Sequence, residues 1–67
     1  MIPPSADILA HLHSLVKKGD LDSILTQANA IEQLGEKYSP FVRELRQLAE
    51  GFQVKQLQSF IQKYFIP

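Results

Sequence analysis

The chain has 67 residues, seven basic and seven acidic side chains that cancel, and no cysteine. A length this short allows one domain, which buries only about 60% of the surface its unfolded chain exposes. The missing cysteines exclude disulfides and thiolate metal sites, and the balanced charge argues against a polycationic face for nucleic acid or anionic lipid. No apolar run reaches the roughly 20 residues that span a bilayer. Met1-Ile2-Pro3-Pro4 lacks the basic-then-apolar pattern of a signal peptide. The expectation is a soluble, intracellular, globular domain that contacts neither nucleic acid nor membrane.

Pro3-Pro4 is stiff and disfavours helix in the residue before each proline, so residues 1–4 read as the end of a linker. Residues 5–67 then form a single helical domain. The first predicted helix runs Ala6 to Lys18. Ser5 suits its N-cap, and Asp7 suits the positive end of its dipole. Ile8, Leu9, Leu12, Leu15 and Val16 recur at helical spacing as one stripe. Lys17 and Lys18 complement the last turn, and Gly19 is a left-handed C-cap.

The second predicted helix runs Leu21 to Leu34, capped by Asp20, with Leu21, Ile24, Leu25, Ala28 and Ile31 inward. Gly35 ends it. Gly19-Asp20 leaves almost no loop, so the first two helices form a tight αα-hairpin. The third runs Pro40 to Glu50, with Ser39 as cap and proline at the first helical position, where its missing N–H costs nothing. Phe41, Val42, Leu45, Leu48 and Ala49 face inward. Gly51 then suits a Schellman ending, with Phe52 folding back on the helix.

The fourth predicted helix runs Gln53 to Phe65. Val54, Leu57, Phe60, Ile61, Tyr64 and Phe65 cover an arc of roughly 140°, wider than a minimal core stripe. Such an arc either sinks the terminal helix deep into its own core or leaves part of it to cover a partner. The apolar pattern also repeats. Ile8, Leu9, Leu12, Leu15, Val16, Leu21, Ile24, Ala28 and Ile31 each have an apolar counterpart 33 residues later, from Phe41 to Tyr64. That period is close to the 34 of the tetratricopeptide repeat, but the signature Trp and Gly-Tyr of that repeat are absent. Two hairpins with matching burial patterns must pack face to face to make one core.

Little in the chain suggests catalysis. His11 and His13 lie two apart on a helix and point about 200° away from each other, so they cannot share a metal or a proton. Asp20 and Asp22 sit where caps belong, and no carboxylate pair converges on a pocket. Gly19, Gly35 and Gly51 are helix stops rather than a phosphate loop. The expectation is a non-enzyme with no cofactor, metal or small-molecule substrate. One alternative is histidine phosphotransfer, with His13 as phosphoacceptor and Lys17 one turn on to meet the phosphate. The lysine falls one position late for the motif of such domains, and the glycine falls at the helix end.

Pro3-Pro4, Lys17 to Leu21, Tyr38-Ser39-Pro40-Phe41 and Leu45 to Gln53 form a familiar set. Their order resembles the C-terminal helical segment of cyanobacterial hybrid sensor histidine kinases and related multi-domain two-component proteins. The resemblance covers Pro3 to Phe65. It implies a cytoplasmic accessory domain in phosphorelay signalling, with no catalytic residues of its own. The combined expectation is an all-α bundle of four short antiparallel helices. Its work is protein–protein contact, as a homodimer or by docking on other modules of a parent signalling protein. The expected interface is Val54, Phe60, Tyr64, Phe65 and Ile66.

Overall fold

The computed structural model describes residues 2–65. Among them, four helices form: α1 (Ala6–Lys18), α2 (Leu21–Glu32), α3 (Ser39–Glu50) and α4 (Val54–Phe65), with a 3₁₀ turn at Glu36–Tyr38 before α3. No strand occurs among the described residues, and the fold is an all-α bundle as expected. Ile66, expected at the interface, lies outside the described residues.

α1 and α2 begin where side-chain caps direct. Ser5 accepts the amide N–H of Ile8 at 3.4 Å. Asp20 accepts both the amide N–H of Ser23, at 3.2 Å, and its hydroxyl, at 2.7 Å. Pro4 is already buried, so the folded body takes in a residue expected in the linker.

Three boundaries move from the expected ones. α2 ends at Glu32, because Leu34 and Gly35 donate to Ile31 and Glu32 three residues back, which tightens the last turn out of α-geometry. α3 starts at Ser39 without a side-chain cap, since the 3₁₀ turn already delivers the chain in helical geometry and the Ser39 N–H is bonded to Glu36. α4 starts at Val54 rather than Gln53.

Both hairpin turns are Schellman motifs. In the first, Gly19 donates to Val16 and Asp20 donates to Leu15. Gly19 takes φ 72°, the left-handed conformation glycine adopts at no steric cost. In the second, Phe52 donates to Ala49 and Gln53 to Leu48. Here the expectation fails in one respect. Gly51 stays right-handed at φ −86°, and Phe52 itself holds the left-handed place at φ 56°. Phe52 points away from the helix and is 77% exposed, rather than folding back on it.

The core is apolar throughout. Leu9, Leu12, Leu15 and Val16 of α1 meet Ile24, Ala28 and Ile31 of α2, with Phe41, Val42, Leu45 and Ala49 of α3 and Leu57 and Ile61 of α4. No polar side chain is buried among the described residues. α2 packs most heavily on α3, and α1 on α4, while contact within each hairpin is lighter. That arrangement is the physical content of the 33-residue pattern. Each hairpin is open, and each supplies the other's missing face.

Candidate interaction surface on the second hairpin

α4 was expected to present one wide apolar arc, and the structure divides it. Leu57 and Ile61 are wholly buried. Phe60 and Tyr64 are half-buried and share a ring cluster with Phe41 of α3. Phe41 and Phe60 stack at 5.0 Å between centroids, and Tyr64 meets Phe41 edge-on at 5.8 Å and Phe60 at 5.6 Å. Such ring pairs add about 0.5–1.5 kcal/mol each beyond their burial, so much of this surface is engaged in the fold itself.

Val54 and Phe65 lie on the other flank, each 38% exposed. They do not form one patch, because eleven residues of helix separate them by about 16 Å. Phe65 stacks on His13 of α1 with centroids 5.6 Å apart. Val54 stands instead at the hairpin turn, two residues from Phe52. Phe52 was not expected as a surface residue. The signal that finds it is the 33-residue period, which sets Phe52 against Gly19 and so places an aromatic where the fold uses glycine.

An open groove of about 440 Å³ runs between α3 and α4. Leu48 and Phe60 form its floor. Lys55, Ser59 and Lys63, spaced one turn apart, line the α4 side, and Glu44 stands on the α3 side. The Lys63 ammonium lies 5.7 Å from the Tyr64 ring centroid.

The histidines are separated as their spacing requires. His11 is exposed. His13 is half-buried, with Nε2 3.5 Å from the Gln62 side-chain nitrogen. A phosphoryl group on that nitrogen needs the Gln62 amide to move away. Lys17 is exposed one turn further on. Among the described residues no three His, Asp or Glu side chains are grouped to hold a metal ion. No helix among them is long and apolar enough to cross a membrane.

On the opposite side, Arg46 of α3 clamps α2. It donates to both carboxylate oxygens of Glu32, at 3.2 and 2.9 Å, and to the Asn29 side-chain oxygen. Hydrogen bonding and the positive charge of Arg46 hold the Glu32 carboxyl below the ordinary carboxylate range. The chain matches no protein-family model, no curated protein and no solved structure.

Proposed function

We propose that the chain is a non-catalytic protein–protein interaction module that pairs with a second copy of itself through the second hairpin turn. The observation that carries this reading is Phe52. A bulky non-glycine residue in the left-handed region costs roughly 1–2 kcal/mol. Its ring is 77% exposed and so recovers little of that cost within the chain. Strain kept at an exposed aromatic is the pattern of a surface residue held for contact. Val54, two residues further on at the same turn, is also exposed. A twofold dimer would cover both copies of the patch at once, which suits a domain with so small a core.

The setting we propose is the cytoplasmic end of a two-component sensor protein, the context that the residue pattern resembles. Docking on another module of that protein is the variant of this reading in which the turn meets a different surface.

Sedimentation equilibrium over a wide concentration range tests the reading. A mass approaching twice 7.6 kDa is expected for the wild-type chain. Phe52→Gly is expected to stay folded and sediment as a monomer. A wild-type chain that stays monomeric at high micromolar concentration overturns self-pairing. A Phe52→Gly variant that still dimerises removes the turn from the interface.

A further inference from the structure

We propose that the groove between α3 and α4 is a docking site for a short acidic amphipathic helix of a partner protein. The inference rests on the reading of the chain as an interaction module, but not on self-pairing, since neither Phe52 nor Val54 lines the groove.

The first observation is the sign of the charge. α4 carries Lys55 and Lys63 and no acidic residue. Both lysines are exposed. They stand on one rail of the groove with Ser59 between them. Eight residues of helix separate them by about 12 Å. Beneath them the exposed parts of Leu48 and Phe60 offer an apolar floor.

The second observation is internal. The first hairpin has the same turn geometry and a matching burial pattern. At the places of Lys55, Phe60 and Lys63 it carries Asp22, Gln27 and Ala30. The fold therefore forms a hairpin of this shape without an aromatic floor and without a basic rail. Phe60 serves the fold through its stacking on Phe41, so it is the exposed basic rail, Lys55 and Lys63, that the hairpin shape does not require.

The geometry sets the occupant's pattern. Two carboxylates two helical turns apart reach Lys55 and Lys63. Apolar side chains midway between them, on the same face, rest on Leu48 and Phe60. Glu44 on the far rail repels a carboxylate, so the acidic edge of the partner faces α4.

A labelled helical peptide with two glutamates two turns apart and leucines between them tests the proposal by fluorescence polarisation. Its control carries lysines in place of the glutamates. The wild-type chain is expected to prefer the acidic peptide, and less so as salt rises. Lys55→Glu with Lys63→Glu is expected to weaken that peptide about tenfold or more and to invert the preference. Circular dichroism checks that the variant is folded, and Lys55→Gln with Lys63→Gln serves if it is not. Equal binding of both peptides, binding of neither, or a charge-reversed variant that still prefers the acidic one overturns the groove. Phe52→Gly separates the two readings. Loss of self-pairing with peptide binding intact assigns two surfaces to two jobs. Self-pairing without peptide binding refutes only the groove.

Discussion

His13 and Arg46 hold the same place in the two hairpins, 33 residues apart, and each touches two residues of the helix packed on it. Arg46 of α3 bonds to Asn29 and Glu32 of α2. His13 of α1 meets Gln62 and Phe65 of α4. Asn29 and Gln62 are also 33 apart, as are Glu32 and Phe65. One seam is therefore closed by an ion pair with an amide, and its equivalent by an imidazole, an amide and a phenyl ring.

The equivalence predicts that the ionic clamp can be grafted. His13→Arg with Phe65→Glu sets an Arg and a Glu on either side of the existing Gln62 amide. An exposed pair of this kind is worth about 0.2–1 kcal/mol, or a rise in Tm of roughly 1–8 °C in a domain this size. The gain is expected to shrink in high salt. A double variant no more stable than its two single variants sum to would show that the seams are not interchangeable.

The two left-handed turn residues should answer oppositely to substitution. Phe52→Gly removes Cβ strain and is expected to raise stability by about 1 kcal/mol. Gly19→Ala meets no atom within 4 Å, so it introduces strain without a clash. It is expected to cost about 1 kcal/mol. Urea midpoints of both variants decide the matter. A destabilised Phe52→Gly would mean that the ring contributes to the folded chain after all.

Phe41 is wholly buried and joins the ring cluster to the main core. Phe41→Ala is expected to cost about 3–5 kcal/mol. In a domain this small that approaches the whole stability. The variant should lose its cooperative thermal transition by circular dichroism. A variant that still melts cooperatively within a few degrees of wild type would show that Phe60 and Tyr64 refill the space.

Acid should weaken the fold through two carboxylates. The side-chain and backbone hydrogen bonds from Ser23 hold the Asp20 carboxyl below its ordinary value, with a smaller push from Lys18. Arg46 does the same to Glu32. Both groups are thus more acidic folded than unfolded. Their contribution is complete above the unfolded value, near 4, and is lost as pH falls through the folded one. Wild type should exceed Asp20→Asn with Glu32→Gln in urea midpoint at neutral pH, and the difference should close on acidification. A gap that stays constant with pH would remove these carboxylates as its cause.

The helices and the core were legible in the sequence, because periodicity and caps act locally. Ser5, Asp20 and Gly19 hold the places their chemistry requires. The second turn misled because glycine is the default left-handed residue, whereas here Phe52, one place on from Gly51, takes that conformation. The split of the α4 arc was hidden for a related reason. A helical projection shows which residues share an arc, but it does not show that Phe41 takes one flank and His13 the other. The groove was invisible too, since its floor and rails come from two helices.

Each hairpin is open, and its apolar face is completed by the other. Residues 33–38 tether the two, so each hairpin meets its complement at an effective concentration of about millimolar. The same interfaces form whether the complementary hairpin belongs to the same chain or to another. The tether decides between the two outcomes. Shortening or stiffening it would convert a closed monomer into a hairpin-exchanged dimer whose core is unchanged.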